Sequence, residues 1–146
     1  MRSPAPLSIL CVEDDNDTRE MLGVYFRSLG LEVDFAASAE ESLRCIQTRD
    51  FDLYILDSWL PDVDGFELCR RIRQRTRLGS QIIFFSGAAR EVDRQRGIEA
   101  GANAYVFKPN FEEFANTIDK LIAQAKAPEL NAMTFRPEFF LACQAT

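Results

Sequence analysis

Histidine is absent from the 146 residues. That removes Ser-His and Cys-His dyads and most catalytic zinc sites, all of which draw on imidazole. The four cysteines, Cys11, Cys45, Cys69 and Cys143, form no C-x-x-C pair, which excludes a zinc knuckle and a thioredoxin-like motif and leaves buried, reduced thiols of a cytosolic protein as the expectation. Basic residues are outnumbered, 17 Lys+Arg against 23 Asp+Glu, for a net charge of −6. A chain of that sign is not expected to hold nucleic acid by neutralising phosphates, so no direct nucleic acid binding is assigned to this segment. Long apolar runs are lacking too: the short stretch in MRSPAPLSILCVEDD ends in three consecutive acids, unlike a signal peptide or a membrane span. A cytoplasmic location without membrane attachment is the resulting expectation. With only 7 Gly and 6 Pro beside 47% hydrophobic and 27% charged residues, neither a disordered nor a fibrous chain fits, and the length suits one domain.

What is present is a repeating alternation of period two and period 3.6. Leu7 to Val12 is a short apolar run that predicts a buried strand, followed by the polar Glu13-Asp14-Asp15-Asn16-Asp17. Apolar positions from Thr18 to Leu29 recur at helical spacing, and Gly30 stands where a glycine ends a helix. Leu31 to Ala37 reads as a second strand, and Ser38 to Glu41 has the S-x-x-E form of a capping box ahead of a helix carrying Leu43 and Ile46. Asp52 to Asp57 predicts the third strand, Pro61 to Gly65 a turn with Asp62 and Asp64 as turn and N-cap residues, and Phe66, Leu68, Cys69 and Ile72 the next helix. Gln81 to Phe85 and Ala104 to Phe107 complete five strands, with helices over Glu91 to Ala100 and from Phe111 to Ala125. The pattern predicts an α/β fold: a doubly wound, five-stranded parallel sheet with five helices.

In such sheets ligands gather beyond the carboxyl ends of the strands. There the first strand delivers Glu13, Asp14 and Asp15, the third Asp57, the fourth Ser86 and the fifth Lys108. Clustered carboxylates repel unless a cation joins them, and Mg²⁺, a hard ion that prefers oxygen ligands, is the natural partner. Asp57, fixed after an apolar strand, is placed to attack phosphorus, with Lys108 neutralising the equatorial oxygens and the Ser86 hydroxyl donating to one of them. Phosphoryl transfer needs mostly positioning and charge stabilisation, so a site without histidine suffices.

The segments ILCVEDD, LYILDSWLPDVDG, IIFFSG and YVFKP, in this order, resemble the receiver domain of two-component response regulators, chemotaxis-regulator-like, over residues 7–125. The resemblance implies a flavodoxin-like strand order 2-1-3-4-5. It implies Glu13 and Asp14 as an acidic pair holding Mg²⁺ together with Asp57 and the Trp59 main-chain carbonyl, and Asp57 as phosphoacceptor. Ser86 and Lys108 match the family's hydroxyl and lysine, Tyr105 its switch aromatic, and Lys108-Pro109 a bond the family tends to hold cis. The implied partners are a histidine kinase or phosphotransfer protein as donor, and a downstream protein target or a second copy as recipient. Such a domain is not an enzyme beyond its own phosphotransfer and autodephosphorylation.

Two alternatives to this reading exist. A phosphorylation-independent interaction scaffold has no need of crowded carboxylates, and an aspartate-nucleophile phosphatase would place a second acid where Trp59 stands. Read alone, Tyr105 is a half-buried aromatic of an edge strand. Residues 1–125 are therefore expected to be the receiver domain and 126–146 a tail or linker remnant, in which Arg136 to Ala142 suits a short helix with Pro137 at its first position.

Overall fold

The computed structural model describes residues 7–76 and 79–126. Strands β1 (Ile9–Val12), β2 (Val33–Ala36), β3 (Leu53–Leu56), β4 (Gln81–Ser86) and β5 (Ala104–Phe107) alternate with helices α1 (Asn16–Ser28), α2 (Ala39–Thr48), α3 (Gly65–Arg75), α4 (Glu91–Glu99) and α5 (Phe111–Lys126). All strand pairs are parallel and the order is β2-β1-β3-β4-β5, as expected. Strands buried on both faces read as continuous apolar runs, and β1 and β3 are wholly buried. Leu10, Val12, Tyr54, Leu56 and Phe84 face a core completed by α2 and α3, with Phe66, Leu68 and Ile72. Ile9, Cys11, Ile55, Ile83 and Phe85 face a second core with Leu22 and Phe26 of α1 and Phe114 and Ile118 of α5.

Element ends follow local chemistry more closely than the apolar pattern does. Helix α1 begins two residues before the expected Thr18, because the Asp15 carboxylate accepts from the Thr18 amide at 2.9 Å and its hydroxyl at 2.6 Å. It ends as expected at Gly30, whose φ of +76° is open to glycine at little cost, with the Gly30 amide donating to the Arg27 carbonyl and the Leu31 amide to that of Phe26. Ser38 caps α2 by accepting from the Glu41 amide, but Glu41 reaches back to the Ala37 amide at 3.0 Å and not to that of Ser38, so the expected capping box closes one residue early. Strand β2 is shorter than Leu31 to Ala37, and β3 stops at Leu56, leaving Asp57 beyond its end. Asp64 caps α3 through the Glu67 amide, as expected. Asp62 does something else: it accepts from the Ala39 and Glu40 amides, fastening the β3–α3 loop to the start of α2.

The expected helix near Arg136 to Ala142 lies outside the described residues. Of the cysteines described, Cys11 and Cys69 are buried and Cys45 is half-buried, all free thiols. No helix among the described residues is long and apolar enough to cross a membrane.

Candidate functional site

The parallel register sets the strand ends level. Val12 lies opposite Leu56, Leu56 opposite Phe84, and Ser86 opposite Phe107, so Glu13, Asp57, Ser86 and Lys108 emerge together at one edge of the sheet. Carboxylate oxygens of Glu13, Asp14 and Asp57 come within 4.8 Å of one another. Glu13 and Asp57 are buried at 3% and 8% exposure, while Asp14 is open to solvent. Lys108 crosses from β5 to bind both buried acids, its Nζ 2.6 Å from Glu13 Oε1 and 3.4 Å from Asp57 Oδ2. Arg19 of α1 donates to the Glu13 carbonyl at 2.5 Å and also to Asn16 Oδ1, which ties the acidic loop to the helix after it. The Trp59 amide sits 3.4 Å from Asp57 Oδ1 and its ring stands in solvent, 67% exposed. The Lys108-Pro109 bond is cis.

One cation cannot neutralise three acids. Burial, together with the neighbouring Asp57 carboxylate, to which only the protonated form of Glu13 can donate, holds the Glu13 carboxyl above the usual carboxylate range although Lys108 pulls the other way. Burial opposes the charge on Lys108, but its hydrogen bond to Glu13 and the charge of Asp57 outweigh that and keep the ammonium above its ordinary value. Glu13 Oε2 is buried without a hydrogen-bond partner among the described residues, a position that ordinarily carries a cost unless something absent from the protein chain satisfies it. An all-oxygen set with one orphaned carboxylate oxygen fits a hard divalent cation such as Mg²⁺.

The other side of the cleft is neutral. Ser86, fully buried, accepts from the Ala88 amide at 3.1 Å and shares a short hydrogen bond with the Ser58 hydroxyl. Tyr105 is not half-buried, as its edge-strand place suggested: at 6% exposure it lies inside, its hydroxyl donating to the Ala88 carbonyl at 2.7 Å and its ring stacked on Phe84 at 5.3 Å. The room comes from Gly97 of α4, where a β-carbon would stand 2.7 Å from the Tyr105 ring. A periodicity count along β5 could not anticipate a gap left on a neighbouring helix. Ser58 was also missed. Only the β3–β4 register, continued two residues past Leu56 and Phe84, sets Ser58 opposite Ser86.

The backbone under the nucleophile candidate is held from below. Gly65 donates to the Ser58 carbonyl at 2.9 Å, and a β-carbon at residue 65 would collide with the Asp57 carbonyl and Ser58 Cα. Only glycine allows α3 to approach so closely. Asp15, Asp62 and Asp64 stay out of the cleft as helix caps.

Comparison with known proteins identifies the family. The family of response regulator receiver domains matches residues 9–119. The transcriptional regulatory protein AfsQ1 of Streptomyces coelicolor is 40% identical over 102 residues, 70% of this chain but 44% of its own length. The chain thus spans less than half of the curated relatives it matches first. A response-regulator structure from Chloroflexus aurantiacus superposes with a TM-score of 0.74 at 36% identity, covering 82% of this chain and 99% of the other. The receiver domain of the sensor histidine kinase PA1611 of Pseudomonas aeruginosa, solved with magnesium coordinated in its active-site cleft, superposes with a TM-score of 0.71 at 30% identity over 82% of this chain and 99% of that one. The chain belongs to the response regulator receiver domain family, and its function lies in two-component signal transduction.

Proposed function

We propose that this domain, as a receiver, accepts a phosphoryl group on Asp57 in a Mg²⁺-dependent reaction, from a histidine kinase, a phosphotransfer protein or a small phosphodonor, and thereby changes which protein surface it presents. The observation that carries the reading is the buried pair of acids shared by one lysine, with Glu13 Oε2 left over. Glu13, Asp14, Asp57 and the Trp59 carbonyl would hold Mg²⁺, which when bound neutralises charge on the transferring group.

The chain's own part is positioning. An electron pair of an Asp57 carboxylate oxygen forms the new O–P bond while the donor's bond to phosphorus breaks, its pair leaving with the donor. The product is an acyl phosphate. Gly65 and the β3 backbone fix the direction of attack, and Lys108, already on Asp57 Oδ2, meets the charge on the phosphoryl oxygens without long travel. The Ser86 hydroxyl supplies a further donor once it turns toward them, and the movement of residues 87–89 would pass to Tyr105 through the Ala88 carbonyl that its hydroxyl holds. Because Tyr105 is already inside, phosphorylation on this reading consolidates an inward ring, as a shift between populated states. The altered face, made by α4, β5 and α5, would meet the downstream protein or a second copy. Neither the Trp59 nor the Ala88 side chain can position a hydrolytic water, so the phosphoryl group should be comparatively long-lived.

Residues 1–125 would form this receiver, working in the cytoplasm, with 126–146 as a tail or linker. The net charge of −6 supports a role for this segment through protein contacts and not through nucleic acid. Intact mass after acetyl phosphate treatment tests the assignment: a phosphoryl adduct is expected with Mg²⁺, none with a chelator, and none in Asp57→Asn. An adduct that survives Asp57→Asn would place the phosphoacceptor elsewhere.

A further inference from the structure

Among the described residues the fully buried Ser58 hydroxyl has a single hydrogen-bond partner, Ser86 Oγ, which also accepts from the Ala88 amide. With those two neighbours Ser86 makes no hydrogen bond to Asp57. The backbone that carries Ser58 cannot drift away, since Gly65 packs against it and donates to its carbonyl at 2.9 Å. A side-chain rotation that carries Ser86 Oγ away from Ser58 toward a group on Asp57 breaks this contact and leaves the Ser58 hydroxyl buried without that partner, which is costly in a dry site.

We propose that Ser58 is a positioning residue that restrains the Ser86 hydroxyl in its resting orientation and so sets how readily the phosphorylated state is occupied. The inference rests on the reading of Asp57 as phosphoacceptor with Ser86 as its hydroxyl donor. Ser58 acts on the ground state: it rewards Ser86 for facing away from Asp57, and every ligand of Asp57 that recruits Ser86 gives up that reward. Removing the Ser58 hydroxyl shifts the balance toward the occupied state by about the net worth of one hydrogen bond, about three- to tenfold in an equilibrium constant.

The test is beryllium fluoride, a phosphoryl mimic, titrated into the full chain with Mg²⁺ and read by the fluorescence of Trp59, the single tryptophan, two residues from Asp57. Ser58→Ala should bind it about three- to tenfold more tightly than wild type, while Ser58→Thr, which keeps the hydroxyl, should stay close to wild type. In a Ser86→Ala background Ser58→Ala should change nothing, an outcome that general loosening of the site would not give. If Ser58→Ala does not fold, Ser58→Cys, with a weaker donor of similar size, carries the same expectation. Unchanged or weaker binding by Ser58→Ala, or an equal gain without the Ser86 hydroxyl, overturns the restraint while leaving Asp57 as phosphoacceptor. If wild type shows neither a Mg²⁺-dependent beryllium fluoride response nor an acetyl phosphate adduct, the phosphoacceptor reading fails and the restraint falls with it.

Discussion

Two groups of acids in this molecule look alike in the sequence and behave in opposite ways. Asp15, Asp62 and Asp64 lie at helix starts, where free backbone amides donate to them. Glu13, Asp14 and Asp57 lie a few residues away at the strand ends, where the backbone offers little and one lysine serves two of them. The consequence appears in their acidity. The Thr18 hydroxyl and amide hold Asp15 below the usual carboxylate range, and burial at Asp62 is outweighed by its amide donors with the same result, whereas burial lifts Glu13. A carboxylate supplied with amides is content as an anion; one deprived of them and kept from water creates a demand for a cation. The cleft is built from unmet demand, and the caps from demand already met.

Breaking the cleft at its cation should have the largest effect. Lys108→Ala leaves Glu13 and Asp57 buried without their shared partner, and should lose about 3 kcal/mol of stability in urea unfolding without Mg²⁺. Added MgCl₂ should recover more of that loss than it adds to wild type, since an ion that binds only the folded form stabilises it by mass action. A loss within about 0.5 kcal/mol, the range of an ordinary surface change, would mean that the three acids do not depend on the lysine.

The neutral side of the cleft provides a contrast in which packing replaces charge. Gly97→Ala puts a β-carbon 2.7 Å from Tyr105 and 3.1 Å from Phe84, and should cost about 2 kcal/mol as overpacking. The same change should cost far less in a Tyr105→Ala background. Equal costs in the two backgrounds would show that Gly97 is not what admits the inward ring.

Next in size is the response of the two groups to a neutral isostere. Asp57→Asn removes one of the acids that compete for Lys108, so it should raise stability without Mg²⁺ by about 1 kcal/mol and flatten the stabilisation that Mg²⁺ gives. Thermal unfolding with and without Mg²⁺ measures both, and a less stable Asp57→Asn would contradict repulsion as the dominant force in the cleft.

The sheet and the cleft residues were legible because both rest on local pattern. Apolar runs of strand length separated by helical periods define the alternation, and the cleft residues then follow the ends of β1, β3 and β5 and close β4. The inward Tyr105 and the Ser58 contact were not legible in that way. Tyr105 depends on a missing β-carbon at residue 97, and Ser58 on a register between β3 and β4 that is set by packing across the sheet. Asp62 falls between the two cases. Its turn chemistry was readable, but the amides it serves belong to a helix 22 and 23 residues earlier in the chain.

Asp62 also gives the smallest and most discriminating prediction. Its Oδ1 accepts from the Ala39 amide at 3.0 Å and its Oδ2 from the Glu40 amide at 2.9 Å, so Asp62→Ala should cost about 1 kcal/mol, the usual worth of an N-cap. The folded state holds this carboxyl below its ordinary value, so its ionic contribution is fully present above the unfolded value of about 3.9 and is lost as pH falls through the lower folded value. Wild type should therefore exceed Asp62→Ala by most at pH 7 and at pH 5, and the gap should narrow as pH falls through the folded value, toward the level of a neutral side chain. Asparagine has one oxygen to offer two amides, so Asp62→Asn should fall midway and differ from Asp62→Ala by an amount that does not depend on pH. Chemical unfolding across this range separates the possibilities: a gap between wild type and Asp62→Ala that widens on acidification would mean that the carboxylate is tolerated in the loop and not used as a cap.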